Sequence, residues 1–196
     1  MRRYSPAFER NRAPILEALR DALPEGAEVL EVGCGPGQHA VFFADQLEGV
    51  RWRPSDRSGH LESARAWRQE SGVEGVLEPV ALDLFDARWE LEPVDVLVAI
   101  NVLHIAPEAA TGRLFAHAAA LARPGGRVFV YGPFRYAERE LEPSNARFDA
   151  RLRASDPSRG LRLFEDVDEA ARAHGFELVE DRPMPANNHA IWWERG

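Results

Sequence analysis

The chain has 196 residues, 45% hydrophobic and 29% charged, a size and balance suited to one compact globular domain over residues 1–196. Its formal net charge of −8 argues against a nucleic-acid partner, which calls for a basic face. The single cysteine excludes an internal disulfide. The charged start Met1–Pro6 lacks an apolar leader, and the run Val96–Ile105 is too short to cross a bilayer. The expectation is therefore a cytoplasmic protein without membrane contact, a monomer or homodimer.

Taken in order, Ser5-Pro6 opens a first helical segment with Ser as cap, and Pro14 opens a second along Ile15, Ala18, Leu19, Ala22 and Leu23. Together residues 1–24 form an N-terminal helical cap over the cofactor cleft. Glu28–Val32 is a strand and Gln38–Leu47 a helix. A second strand, Val50–Pro54, precedes a helix face made by Leu61, Ala64 and Trp67. Val76–Leu82 and the apolar Val94–Ile100 are further strands, the latter buried on both faces. A helix over Pro107–Ala122 stops at Pro124-Gly125-Gly126, and Arg127–Tyr131 is strand five. Helices over Ser144–Ala154 and Glu165–His174 precede a closing pair, Phe176–Asp181 and Ala190–Glu194, joined through Pro183–His189. This alternation predicts an α/β sheet with helices on both faces.

The turn after the first strand, Glu31-Val32-Gly33-Cys34-Gly35-Pro36-Gly37-Gln38-His39, carries the most specific chemistry. Glycines at 33, 35 and 37 allow a sharp turn and a close ligand approach, and a helix N-terminus follows. The run lacks the Lys of a P-loop, and its Gly-x-Gly-x-Gly spacing differs from the dinucleotide fingerprint. Glu31 would repel a pyrophosphate but pair with an ammonium. The pattern resembles motif I of class I S-adenosylmethionine (SAM) methyltransferases. A ligand-free glycine turn is the plainer alternative.

Asp56 lies 23 residues beyond Gly33 at a strand end, placed to accept from ribose hydroxyls, a role the glycine loop and the strand both support over a plain turn or N-cap Asp. The methyltransferase resemblance implies that Asp83 accepts from an adenine amino group while the N–H of Leu84 meets a ring nitrogen; Asp86 is an alternative to Asp83. Cys34, His39, Arg57 and Asn101 complete the expected cofactor set. Asn101 and His104 follow the fourth strand at the sheet edge where ligands bind. The neutral imidazole of His104 is a candidate base near pH 7. The six histidines are scattered without ligand spacing, so no metal is expected, and no Gly-x-Ser-x-Gly is present.

Ser5-Pro6-Ala7-Phe8-Glu9-Arg10-Asn11, Gly37-Gln38-His39-Ala40, Tyr131-Gly132-Pro133-Phe134, Ser144 to Arg153 and Met184-Pro185-Ala186-Asn187-Asn188 together resemble the methyltransferase-like protein 26 family. Its bacterial members are catalogued as domain of unknown function 938. The resemblance implies a Rossmann-like class I methyltransferase fold, a seven-stranded, mostly parallel sheet whose last strand is antiparallel. It implies SAM as cofactor, S-adenosylhomocysteine as product and a small-molecule methyl acceptor. The chain departs from the family at Glu108, where Trp is usual, and at Arg159-Gly160-Leu161-Arg162-Leu163, where Trp-Gly-Ile-Arg-Asp is usual. Asn11, His104, Tyr131, Asn145, Asp149, Asn187 and Asn188 are the expected acceptor contacts, with His104 or Tyr131 helping to remove a proton. A catalytically silent SAM-binding or scaffold protein and, less well supported, an NAD(P)-dependent oxidoreductase are the competing functions.

Overall fold

A computed structural model describes all residues 1–196. Its chain order is α1 (Pro6–Ala22), β1 (Glu28–Val32), α2 (Gln38–Gln46), β2 (Arg51–Asp56), α3 (Glu62–Ser71), β3 (Val80–Ala81), β4 (Val94–Ile100), α4 (Ala110–Leu121) and β5 (Ala122–Gly132). There follow β6 (Phe134–Arg135), α5 (Pro143–Ser155), β7 (Arg162–Leu163), α6 (Phe164–Ala173), β8 (Phe176–Met184), a 3-10 turn (Pro185–Asn187) and β9 (Asn188–Arg195).

Seven strands form one sheet in the order β3-β2-β1-β4-β5-β9-β8. All are parallel except β9, which lies antiparallel between β5 and β8. The parallel core explains the apolar strands: β1 and β4 are covered on both sides. On one face Leu30, Leu97, Val128 and Ile191 pack under α4 and α6; on the other, Val29, Val96, Phe129 and Trp192 pack under α1 and α2. The sheet reverses its order between β1 and β4, which opens a crevice at the carboxyl ends of those strands.

The expected elements are present with corrections. The two predicted helical segments are one, because Pro14 is held inside α1 despite the hydrogen bond its missing N–H denies to Arg10. Burial of Ile15, Ala18, Leu19 and Ala22 against the sheet outweighs that loss. Ser5 sits at the cap position, but its hydroxyl makes no capping bond. The third strand shrinks to Val80–Ala81 with a lone bridge from Val76 to Trp52; Gly75 O and Leu77 N–H bond Trp52 there, and Pro79 between the two parts has no N–H for the ladder. Pro107 does not start α4: it accepts from Ala110 in the turn ahead of the helix. The short parallel pair β6–β7 has no counterpart in the sequence reading.

Candidate active site

The glycine loop leaves β1 with Gly33, Gly35 and Gly37 all at positive φ, +70°, +56° and +91°. The three are not equivalent. A Cβ on Gly33 would meet Val102 Cγ2 at 2.8 Å, and one on Gly37 would meet the Ala64 Cα at 2.6 Å. A Cβ on Gly35 would meet nothing within 4 Å. Gly33 and Gly37 thus serve packing, whereas Gly35 leaves backbone open to a ligand. The loop is braced by Cys34 N–H to Ser55 O (2.8 Å) and by Gly35 N–H to Asp56 Oδ2 (2.9 Å).

A cavity of about 710 Å³ lies against this loop, at the carboxyl ends of β1, β4 and β5. It gathers most of the residues singled out from the sequence: Glu31, Gly33, Cys34, Gly35 and His39 on one side, Asn101, His104, Tyr131, Asn145 and Asn188 on the other, and Asn11 across the top. Glu31 is buried, with Oε2 accepting from the Trp52 indole at 2.9 Å and no protein donor at Oε1. Burial, reinforced by the nearby Asp56 carboxylate, pushes its pKa up to about 7, a carboxyl that lacks a cation. Asn101 follows β4 at φ +58°, a left-handed conformation that Asn tolerates and that marks constrained sites.

Two imidazoles here are neutral for the same reason. Burial pushes both His39 and His104 down to about 4, with Arg162 adding to the effect on His104. His39 donates from Nε2 to Asn11 Oδ1 at 2.9 Å, which fixes its tautomer and leaves the Asn11 amide nitrogen without a protein acceptor. The His104 ring stands edge-on to Phe148 at 5.3 Å. Burial raises Tyr131 to about 12, so its hydroxyl stays protonated as a donor, although Arg10 pulls the other way. Cys34 packs with Leu61 and Ala64, burial raises its thiol, and its N–H and carbonyl are taken by Ser55 O and Gly37 N–H.

Other predicted residues lie elsewhere. Asp56 turns its carboxylate to Gly35 and Arg57 N–H rather than into the cavity. Arg57 and Asp83 line a separate depression with Ser58, His60, Leu82 and Asp86. Leu84 buries its side chain in the core. Asp149 is outside the cavity altogether. Its two oxygens take Leu161 N–H (2.7 Å) and Arg153 Nε (2.9 Å), tying the following loop to α5. Asn187 shapes the β8–β9 turn at φ +56° and receives Asn145 Nδ2 on its carbonyl at 3.0 Å. Arg10, Gln38, Ile105 and Phe148 line the cavity without having been singled out. Arg10 stands beside Asn11 in the same motif and has no ion-pair partner; the helical spacing of Ala7, Arg10 and Asn11 at i, i+3 and i+4 was the available signal.

Residues 2–195 match the family described as "Protein of unknown function (DUF938)". The chain belongs to that family. It is similar to 24-methylenesterol C-methyltransferase 2 from Arabidopsis thaliana, with 21% identity over 171 residues, 87% of this chain and 47% of that protein. Among solved structures, the S-adenosylmethionine-dependent methyltransferase SibL matches at TM-score 0.78 and 26% identity, over 96% of this chain and 55% of that one. An O-methyltransferase family protein from Burkholderia thailandensis matches at TM-score 0.82 and 19% identity, over 97% and 57%. The chain thus spans about half the length of each of these proteins. The fold is the Rossmann-like methyltransferase fold.

Proposed function

We propose that this DUF938 chain is a SAM-dependent methyltransferase acting on a small polar acceptor in the 710 Å³ cavity. The observation that carries the reading is the pairing of an unobstructed Gly35 backbone with a buried carboxyl, Glu31, whose Oε1 has no protein partner. An ammonium group fits that vacancy in the charge balance, and a pyrophosphate does not. The finer resemblance to methyltransferase-like protein 26 belongs to the same reading: its five motifs contribute Asn11, His39, Tyr131, Asn145 and Asn188 to the cavity wall.

SAM, when bound, supplies a methyl carbon already activated by its sulfonium. Glu31 would hold the ammonium, the Gly33–Gly35 backbone would lie along the amino-acid part, and Asp56, Arg57, Asp83 and the N–H of Leu84 would hold the nucleoside. α1 closes over the cavity through Ala7, Phe8 and Asn11, keeping water out as the domain's cap. Tyr131 donates a hydrogen bond to the acceptor, and His104 accepts one. An imidazole pushed down to about 4 is a weak base, which favours an acceptor whose nucleophilic atom carries an acidic proton or none.

Thermal shift with SAM, S-adenosylhomocysteine and NAD in parallel tests the reading. Either of the first two at 100 times its Kd is expected to add roughly 2.7 kcal/mol. A shift with NAD alone would sink it. His104→Ala is expected to lower turnover while leaving S-adenosylhomocysteine affinity unchanged.

A further inference from the structure

Behind the depression that holds Asp83, two buried rings stack face to face. Trp89 and His117 have centroids 3.9 Å apart and planes 3° from parallel. Each sends one N–H to a successive backbone carbonyl: Trp89 Nε1 to Asp83 O at 2.8 Å, and His117 Nε2 to Leu84 O at 3.1 Å. A carbonyl can only accept, so the Nε2 of His117 carries the proton. The turn is closed on its own side by Asp83 Oδ1 accepting from Phe85 N–H (3.0 Å) and Asp86 Oδ2 accepting from Asp83 N–H (3.0 Å).

In a trans peptide, the C=O of one residue and the N–H of the next point in opposite directions. Holding the Asp83 carbonyl on the buried indole, with Asp86 N–H sharing the same oxygen at 3.1 Å, therefore turns the Leu84 N–H away from it. That N–H has no acceptor within the protein. The Leu84 side chain packs with Trp89 in the core, so the peptide cannot rotate without moving both. Two donors from one rigid stack thus fix two consecutive peptide planes at a place where a free backbone donor and a carboxylate sit side by side.

We propose that Trp89 and His117 are positioning residues for base recognition: their stacked pair aims the Leu84 N–H and sets the Asp83 turn so that a 6-amino purine is accepted and a 6-oxo purine rejected. The proposal rests on the SAM reading above. A 6-amino purine offers an acceptor at N1 and a donor at N6; a 6-oxo purine reverses both, leaving N–H against N–H and carbonyl against carboxylate. Neither Trp89 nor His117 touches the ligand in this account.

The test is calorimetric titration of the full chain with S-adenosylhomocysteine and with S-inosylhomocysteine. The wild-type protein is expected to prefer the adenosyl compound by roughly a hundredfold, the worth of two mispaired hydrogen bonds. Trp89→Phe and His117→Phe keep an aromatic stack but delete one donor each, and each is expected to cut that ratio by about tenfold. Replacing the Trp89 indole N–H by sulfur, as benzothienylalanine, keeps the ring's shape where Phe at 89 would not fold, and the same fall in ratio is expected. A merely structural role would weaken both compounds equally; an unchanged ratio in these variants overturns the proposal. So does a wild-type protein that binds both compounds alike. Failure of the wild-type protein to bind S-adenosylhomocysteine at all would instead overturn the SAM reading, and the clamp with it.

Discussion

The glycine-loop wall of the cavity is made of backbone, whereas the wall from Asn101 to Asn188 is made of side chains, two of them tied to carbonyls of the β8–β9 turn. In the first, Gly33 and Gly37 sit against Val102 and Ala64, and only Gly35 faces open space. In the second, Asn145 is spent on the Asn187 carbonyl, and Asn188 Nδ2 on Pro185 O and Ala186 O. A backbone cradle constrains what binds whatever the neighbouring side chains are. A wall of amide side chains is set by the loops that carry it; the departures from the resembled family at Glu108 and Arg159–Leu163 lie outside that wall, around a neighbouring depression. The contrast separates a part of the site that a motif can encode from a part that it cannot.

The strongest way to break the contrast lies within the loop itself. Gly37→Ala drives a Cβ to 2.6 Å from the Ala64 Cα, backbone that cannot step aside, at φ +91°. It is expected to cost on the order of 3 kcal/mol or more in urea unfolding. Gly35→Ala at φ +56° meets open space. It is expected to cost only the left-handed penalty of about 1–2 kcal/mol, while abolishing the thermal shift given by S-adenosylhomocysteine. Equal destabilisation by the two substitutions would erase the distinction between packing and ligand glycines.

Glu31→Gln sharpens the electrostatic side. The Glu31 carboxyl titrates near 7 in the fold against an ordinary 4.5, so the unfolded chain loses its proton first. The stability it lends is present below pH 4.5 and is lost as pH rises towards 7. Above pH 7 the Gln variant is therefore expected to be more stable than the wild-type protein by roughly 2 kcal/mol, with no gain at pH 4. Its affinity for S-adenosylhomocysteine moves the other way, falling at least tenfold at pH 8, because a charged partner for the ammonium is gone. In the wild-type protein the same affinity is expected to decline as pH drops below 7. Parallel melting curves from pH 4 to 8 check the first, and titrations at pH 6 and 8 the second.

On the opposite wall, Asp149→Asn tests a residue the sequence marked for the acceptor and the fold uses otherwise. Asn keeps an oxygen for Leu161 N–H but weakens the hold on Arg153. A loss of about 1 kcal/mol is expected, with turnover changed only as far as stability is. A turnover collapse in a fully folded variant would return Asp149 to the site.

These cases show what was legible. The parallel sheet could be read because Val94–Ile100 and Glu28–Val32 are buried on both faces and written in apolar residues. The glycine loop could be read because positive φ at three positions leaves a compositional trace. Asp149 could not: nothing local distinguishes a carboxylate facing a cavity from one closed by a loop twelve residues on, at Leu161. Trp52 escaped too, since its bond to Glu31 depends on how β2 pairs with β1. The single helix across Pro14 was missed because the propensity against proline is local and the burial that overrides it is not.

The smallest expected effect concerns the strap that carries α1 to the cavity. Ser5 stands where a capping hydroxyl is usual, yet its hydroxyl makes no such bond, and its N–H is taken by Gln38 Oε1 at 2.6 Å. Gln38 is buried, begins α2 directly after the glycine loop and lines the cavity. Ser5→Ala is thus expected to change stability by less than about 0.5 kcal/mol, against the ~1 kcal/mol of a working cap. Gln38→Met removes the only acceptor of the Ser5 N–H and is expected to cost about 1 kcal/mol, and to speed amide exchange over residues 1–8 more than elsewhere. If instead Ser5→Ala is the costlier change, α1 is secured by its own cap and not by the loop beneath it. The strap and the loop wall would then respond to a ligand with Gln38 no longer coupling them, leaving the His39–Asn11 bond as the link from α2 to α1.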